Sequence, residues 1–445
     1  MGTRSRVGDG DESDDNHGGF TVRGSPRRGL TAATFGFFIG YAGLVIYGPA
    51  AEQFEQALGL SGFLLGILVA APNLIGSLLR IPFGAWTDDV GAKKPFIILL
   101  ALSVTGIVGL AAVLQFVGLD GLTMEHYPVL LLFGALSGCG IAAFSVGVAQ
   151  TSYWYPANRQ GTVLAVYVGL GNSSPGLFTI LLPIIIAALG LTTTYVVWAV
   201  FLVVGTIVYV AYAVDPYYFQ FKKQGLDRSD AKRRSRDLGQ EFFPNENGWE
   251  SIRTAAASVP TWALVALYFI SLGAGFLALT VWFPSYWISF HGLEARNAGI
   301  ITAVGFTLLA TLIRIPGGVL CDRVGGERTA IASFGAVAVA GLLMTVTGDF
   351  VVAVVGMLLL AVGIGIANAA VTQMIPLYVP EAVGGASGLA GGLGAFGGFA
   401  IPPLLGLFVD IRGPSGFGTG FVLYLIFGVL GAVLSAVMYR KVERR

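Results

Sequence analysis

Twelve runs of apolar residues, each long enough to cross a lipid bilayer as a helix, dominate this sequence of 445 residues. A hydrocarbon core about 30 Å thick requires about 20 residues of helix. Only 11% of the residues are charged, against about 25% in soluble domains, so most side chains must face lipid or other apolar helices. We therefore predict an all-α membrane protein with twelve transmembrane helices. The predicted helices are 31–57, 62–87, 94–118, 128–153, 160–190, 193–214, 260–287, 297–322, 328–347, 350–377, 383–411 and 417–440.

One long polar segment, residues 215–259, divides the apolar runs into two groups of six. We predict that it is a cytoplasmic linker loop between an N-terminal six-helix bundle, residues 31–214, and a C-terminal bundle, residues 260–440. Residues 1–30 are acidic and then basic, with few apolar side chains, which predicts a disordered cytoplasmic tail. Residues 441–445 form a short polar tail at the other end of the chain.

Lysines and arginines concentrate on one side of the predicted bilayer. Eight of them lie in the linker loop alone, and such residues favour the cytoplasmic side of a membrane. The short loops on the other side carry mainly acidic residues, such as Glu52, Glu55 and Asp120. We therefore predict a multi-pass protein of the cytoplasmic (inner) membrane with both termini in the cytoplasm.

Two arginines interrupt apolar runs in matching positions of the two halves. Residues 78–82 read Leu-Leu-Arg-Ile-Pro and residues 312–316 read Leu-Ile-Arg-Ile-Pro. An arginine near the bilayer centre costs several kcal/mol, from about 2.5 to above 10 depending on the scale. Repeats that cross the membrane in the same direction imply two bundles related by an axis along the membrane normal. Arg80 and Arg314 are then expected at equal depth, facing a central cavity.

These arginines lack an obvious counter-ion within the chain. No Asp or Glu lies deep within an apolar run, and Asp88 and Asp322 are eight residues further on, roughly 12 Å along a helix. A planar guanidinium donates two parallel hydrogen bonds and stays charged, so it suits a small oxyanion. The arginines therefore predict a central anion site. A structural role, with each arginine bound by carbonyls that Pro82 or Pro316 leaves free, is the alternative.

A loop motif also occurs once in each half. Gly84-x-x-x-Asp88-Asp89-x-Gly91 follows the second apolar run, and Gly318-x-x-x-Asp322-Arg323-x-Gly325 follows the eighth. The motif resembles the signature loop of the major facilitator superfamily, which implies the major facilitator fold of two pseudo-symmetric six-helix bundles. For Asp88, Gly91, Asp322 and Gly325 the resemblance implies a role in gating. An ordinary solvated turn is the alternative.

Two glycine-rich stretches, residues 168–176 and 391–398, sharpen the resemblance. They contain Gly169 and Gly171 in the fifth predicted helix and Gly392 and Gly394 in the eleventh. Close helix packing explains some of these glycines. Together with the paired arginines, however, the two stretches look like those of the nitrate/nitrite porter family within that superfamily.

The resemblance implies a set of binding residues. Arg80 and Arg314 would clamp a nitrate or nitrite ion, Tyr268 and Asn172 would hydrogen-bond it, and Phe144 would stack on it. Asn368 and Gln373 lie in a segment that is similar to the family's tenth helix, and they are possible pocket residues. Taken individually, aromatic residues such as Phe144 and Tyr268 are core residues more often than ligands.

The sequence also departs from the family pattern. Residues 173–175 are Ser-Ser-Pro, which is not the pattern expected after Asn172, and Leu272 stands where a second seventh-helix aromatic is expected. The first-helix aromatic is Phe38, Tyr41 or Tyr47. These departures leave the preference between nitrate and nitrite open.

The predicted function is secondary transport of nitrate or nitrite, most simply as nitrate/nitrite exchange, because no carboxylate or histidine that could carry a proton lies deep within an apolar run. Proton-coupled nitrate symport, a porter for another small anion such as a carboxylate or phosphate, and a non-transporting sensor are the alternatives. No catalytic motif, metal-ligand spacing or cofactor motif appears, and nothing indicates nucleic-acid binding. The expected partners are the small anion and the lipid bilayer, and we expect a functional monomer.

Overall fold

The computed structural model describes residues 15–17, 20–156, 159–244 and 248–443. Twelve of its helices are long and apolar enough to cross a membrane, which confirms the predicted fold class. Their ends differ from the predicted ones by at most eight residues, and the largest difference is at the end of span 11. In chain order these spans 1 to 12 are Pro26–Leu58, Gly62–Val90, Lys93–Val117, Met124–Trp154, Val166–Leu189, Leu191–Tyr212, Val259–Phe290, Ala295–Val324, Gly326–Val346, Phe350–Tyr378, Pro380–Thr419 and Val422–Arg440.

The structure moves the boundary of the predicted tail, residues 1–30. Span 1 begins at Pro26 because Ser25 caps the helix, its side chain accepting a hydrogen bond from Arg28 N, and proline is pre-organised for a first helical turn. Before the helix, strands β1 (Asp15–His17) and β2 (Phe20–Val22) pair in antiparallel fashion. Residues 1–14 lie outside the described part of the chain. At the other end, the helix of span 12 continues to Glu443, beyond the predicted end at residue 440.

The linker between spans 6 and 7 is folded rather than a plain loop. It contains the helices Tyr217–Lys223, Arg228–Asp237 and Gly248–Ala257. The aromatic residues at its start, Tyr218, Phe219 and Phe221, are buried together with Val22 of β2. The many charges of the linker hide this short apolar run in the sequence.

Two glutamines of the linker hold the segment before span 1. The Gln224 side chain accepts from Thr21 N and donates to Thr21 O, at 3.0 and 2.7 Å. The Gln220 side chain makes the same pair of bonds with the backbone of Arg23, both at 2.8 Å. Each side-chain amide therefore forms hydrogen bonds with both the backbone N–H and the backbone C=O of one residue of the extended chain, as a neighbouring strand would.

The two bundles meet closely at one end and separate at the other. We call the end that carries the linker the linker face, and the end that carries the turns at Gly59, Gly118 and Gly190 the opposite face. At the opposite face spans 2 and 11 pack so tightly that a Cβ on Gly406 would lie 1.8 Å from Gly62 O. At the linker face the same two spans line a cavity of about 510 Å³.

The docking of the N-terminal segment gives a first prediction. Gln224→Ala removes two hydrogen bonds to Thr21, each worth about 0.5–1.5 kcal/mol, so we expect tryptic cleavage after Arg23 to become at least about fivefold faster. Gln56→Ala is the control, because Gln56 donates only to Glu52 of its own helix. Unchanged cleavage in Gln224→Ala would show that the glutamine does not hold the segment.

Candidate functional site

Both arginines lie directly after a break in their helices. Span 2 consists of the helices Gly62–Leu78 and Arg80–Val90, and span 8 breaks in the same way at Ile313, before the helix Arg314–Val324. Proline two residues after each arginine removes the N–H that would continue the helical bonding. The repeated Arg-Ile-Pro sequence therefore gives each bundle the same kink at the same place.

Arg80 bridges the two bundles. Its side chain is 2% exposed, and its Nη1 donates to Gly391 O of span 11 at 3.2 Å. The guanidinium lies over the Phe144 ring, with Cζ 5.0 Å from the ring centroid, a cation–π geometry. Its Nε is buried and has no hydrogen-bond partner among the described residues. The carbonyl that binds Arg80 thus comes from the other bundle and not from the kink beside Pro82.

Arg314 keeps more of its hydrogen-bonding capacity unused. Its Cζ lies 5.4 Å from the centroid of the Phe276 ring. Its Nε and Nη2 are both buried, and neither has a hydrogen-bond partner within the described chain. These two N–H groups form one fork of the guanidinium, which matches two oxygens of a planar oxyanion. A buried donor without a partner is costly, so this fork favours binding of an anion.

Two tyrosines lie near the arginines. Tyr41 of span 1 lies within electrostatic reach of Arg80, Arg314 and Tyr268. Tyr268 of span 7 also interacts with Arg80. One cationic side chain from each bundle therefore lies within electrostatic reach of the Tyr41 hydroxyl group. Three of the residues predicted to bind the anion, Arg80, Arg314 and Tyr268, are brought together in this way.

The structure shows which of the three candidate first-helix aromatics lies near the arginines. Phe38 packs against Phe178, with ring centroids 6.4 Å apart, and the Tyr47 hydroxyl donates to Leu130 O at 2.6 Å. Tyr41 is the one within electrostatic reach of both arginines. In the sequence the three side chains could not be separated, because all lie in one apolar run.

Phe276 is a site residue that the sequence did not reveal. The expected second aromatic of the seventh helix, one turn after Tyr268, is Leu272. Residues Phe269–Leu277 are π-helical, and the wider turns of a π-helix change which residues share a face. Phe276, eight residues after Tyr268, is the aromatic that contacts Arg314. A spacing rule for an α-helix could not find it.

A further aromatic layer supports Phe144. Its ring lies 5.7 Å from that of Phe37, which in turn is 5.2 Å from Tyr167. The Tyr167 hydroxyl donates to the carbonyls of Ala143 and Phe144, at 2.9 and 3.1 Å. These contacts fix the backbone that carries Phe144, so its ring is held against Arg80.

Of the four glycines singled out in the two glycine-rich stretches, three allow neighbouring helices to approach closely at the site. A Cβ on Gly392 would lie 2.4 Å from Ile81, beside Arg80, and one on Gly394 would lie 3.0 Å from the Tyr268 Cβ. A Cβ on Gly171 would lie 1.9 Å from the Phe37 ring. Around Gly169 there is space for a side chain. Close packing thus explains why Gly171, Gly392 and Gly394 carry no side chain.

Asn368 and Gln373, the possible pocket residues, have other partners. The Asn368 amide exchanges hydrogen bonds with Ser271, at 3.3 and 3.4 Å, and so joins span 10 to span 7. Gln373 Nε2 donates to Asp322 Oδ1 at 2.6 Å, at the end of span 8. Asn172 is 4% exposed in span 5, next to Gly171, and its contact with an anion stays a prediction.

The two copies of the loop motif have parallel contacts. Asp88 accepts a hydrogen bond from the Tyr153 hydroxyl of span 4, just as Asp322 accepts from Gln373 of span 10. Gly91 and Gly325 have φ values of 87° and 96°, which glycine adopts most easily. Each aspartate therefore ties its loop to the adjacent helix of the same bundle.

The cavity at the linker face leads to the arginine of span 2. Arg80 and Phe144 contribute to its lining, and so do Asp88 and Tyr153 nearer the linker face. Ser251 of the linker helix and Gly385 of span 11 complete its wall, joined by a hydrogen bond from Gly385 N to Ser251 Oγ at 3.0 Å. A small solute could therefore reach Arg80 from the linker face.

Comparisons with known proteins identify relatives of this chain. The model of the Major Facilitator Superfamily matches residues 33–402, and a second match covers residues 296–445. The "Probable nitrate/nitrite antiporter NarK1" of Thermus thermophilus is 30% identical over 430 residues, covering 90% of this chain and 89% of the relative. The "Nitrite extrusion protein" of Bacillus subtilis (strain 168) is 26% identical over 414 residues, covering 92% and 94%.

A solved structure shares the fold. The partially occluded inward-open conformation of the xylose transporter XylE from E. coli superposes with a TM-score of 0.69 at 16% sequence identity. The match covers 92% of this chain and 96% of that one. At this identity the likeness concerns the arrangement of helices alone.

The forked donors of Arg80 give a second prediction. Arg80→Lys keeps the charge but loses the planar fork, so we expect nitrate affinity to fall by about tenfold or more. Nitrate binding to the purified protein measures it. Arg296→Lys, at an exposed position of span 8, is the control. Unchanged affinity in Arg80→Lys would place the site elsewhere.

The glycines give a third prediction. Gly392→Ala places a methyl group against Ile81 and should displace Arg80, so we expect weaker nitrate binding, by roughly tenfold if the overlap costs 1–3 kcal/mol. Gly169→Ala meets open space and should bind nitrate as the natural protein does. Equal losses in the two variants would contradict the packing explanation.

Proposed function

We propose that this chain, which belongs to the nitrate/nitrite porter family of the major facilitator superfamily, is a secondary transporter that moves nitrate and nitrite across a membrane by alternating access. The observation that carries the proposal is that Arg80 and Arg314, one from each bundle, both lie within electrostatic reach of Tyr41 and keep buried donors without a hydrogen-bond partner in the described chain. An anion held there touches both bundles. Its binding therefore couples to their relative motion.

The charge of the site supports anion exchange. Two guanidinium groups in an apolar surrounding repel each other, and among the described residues no carboxylate pairs with either of them. A bound monovalent anion offsets this repulsion, so closure around an anion is easier than closure of the empty site. A carrier of this kind changes back to its original orientation most readily with a second anion bound, which favours nitrate/nitrite exchange.

The binding groups fit nitrate and nitrite. The Arg314 fork, the two tyrosine hydroxyls and the Phe144 ring are suited to a small, flat ion with delocalised charge. Tetrahedral phosphate and bulkier carboxylates fit a stacked aromatic less well. Asn172 is proposed as a further polar contact, since it is buried beside Gly171.

The proposed placement is the cytoplasmic membrane, with the linker face and both termini in the cytoplasm. The lysines and arginines of the linker support it, because such residues favour the cytoplasmic side. The cavity that reaches Arg80 then opens towards the cytoplasm. One chain supplies both arginines, and this supports function as a monomer. Asp88 and Asp322, with Gly91 and Gly325, are proposed as parts of the cytoplasmic gate.

Counterflow in proteoliposomes tests exchange against proton symport. Repulsion between like charges costs about 1 kcal/mol or more, so we expect labelled nitrate to enter at least about fivefold faster when the vesicles contain nitrite. With no internal anion, an inward proton gradient should add little. Vesicles with Arg80→Lys are the control. Rapid uptake driven by the proton gradient into anion-free vesicles would establish symport instead.

A further inference from the structure

We propose that Asp410 is a latch that holds the opposite face closed and must be released before the transporter can open there. Asp410 lies near the end of span 11, in the C-terminal bundle. Its carboxylate caps the first turn of span 2, in the N-terminal bundle. The proposal concerns the conformational cycle, and it rests on alternating access but not on the identity of the anion.

The latch consists of two hydrogen bonds across the bundle interface. Gly62 N donates to Asp410 Oδ1 at 2.5 Å, and Phe63 N donates to Asp410 Oδ2 at 2.8 Å. The next N–H group of the helix, that of Leu64, donates to Ser61 Oγ at 3.3 Å. The first N–H groups of a helix have no partner within the helix and carry partial positive charge, which a carboxylate satisfies well.

Close backbone packing sets the position of the latch. A Cβ on Gly62 would lie 2.5 Å from Gly406 O, and a Cβ on Gly66 would lie 2.4 Å from Pro402 O. Asp410 follows Gly406 by one helical turn, so it faces the same helix. The glycines bring the two backbones together, and the carboxylate then reaches the free N–H groups of span 2.

The same two spans are apart at the linker face. There Gly84 and Asp88 of span 2 and Gly384 and Gly388 of span 11 line the cavity. Spans 2 and 11 thus touch at one end and enclose a cavity at the other. If the bundles rock so that the linker face closes, the contact at the opposite face has to open, and both hydrogen bonds to Asp410 have to break. The latch therefore biases the equilibrium between the two states.

A second carboxylate acts against the latch. Glu55 of span 1 lies within electrostatic reach of Asp410, and the two belong to different bundles. Their like charges repel each other and favour opening at this face. Substitutions at Glu55 and at Asp410 should therefore shift the equilibrium in opposite directions.

The chain contains a matched control for helix capping. Asp349 caps span 10, accepting a hydrogen bond from Val352 N at 3.0 Å. Asp349 and span 10 belong to the same bundle, so this cap is unchanged when the bundles move relative to each other. Replacing Asp349 removes a cap of the same chemistry without affecting the contact between bundles.

Distances between the bundles test the latch. Spin labels at Glu125→Cys and Arg296→Cys mark exposed positions of the opposite face, one in each bundle, and pulsed EPR measures their separation in nanodiscs without any anion. Cys139 and Cys321 are buried in this fold. We expect Asp410→Ala to raise the ratio of long to short distances roughly five- to tenfold, the factor that matches the loss of one cap.

The other variants make the result decisive. Asp410→Asn keeps one acceptor and should give a smaller shift, Glu55→Gln should lower the ratio, and Asp349→Ala should leave it unchanged. An unchanged ratio in Asp410→Ala, or an equal shift in Asp349→Ala, would overturn the proposal. If Asp410→Ala does not fold, Asp410→Asn decides, because an unchanged ratio in that variant would contradict the latch. No anion is present, so the result is independent of the proposed substrate.

Discussion

The structure depends on two guanidinium groups placed among apolar helices, and no carboxylate in the described part of the chain pairs with either of them. Such a charge is costly in a bilayer, and the protein offsets that cost only in part. Arg80 has the Gly391 carbonyl and the Phe144 ring, whereas Arg314 has the Phe276 ring and an unused fork. The remaining hydrogen-bonding capacity of both groups is what makes a small oxyanion a good partner.

Glycine and proline residues determine where the guanidinium groups of Arg80 and Arg314 lie. Proline after each arginine breaks spans 2 and 8 at equivalent points, and Gly392 lets span 11 approach Ile81 closely enough for the Gly391 carbonyl to reach Arg80. At the opposite face glycines of the same two spans bring Asp410 to the helix start of span 2. Small residues thus control both the site and the contact that must open during transport.

Much of the fold and part of the candidate site could be predicted from the sequence, because hydropathy and sequence repeats are local signals. The twelve spans, the paired arginines and the family were recognisable in that way. Phe276 was not, since a π-helix alters the spacing that relates it to Tyr268. The partner of Arg80 is a backbone carbonyl 311 residues away, and no side-chain pattern encodes it. Asn368 bonds to Ser271, a contact that depends on how spans 7 and 10 pack. The short aromatic run of the linker was concealed by its charged surroundings.

The most direct test of the account is the thermal stability of the purified protein with and without nitrate. A ligand that binds only the folded state stabilises it, and at a given concentration the stabilisation is larger when the ligand binds more tightly. We predict that nitrate raises the Tm of the natural protein and of Arg296→Lys, whereas Arg314→Lys, which lacks the fork, shows little or no increase. An equal increase in Arg314→Lys would contradict the claim that the two arginines hold the anion between the bundles.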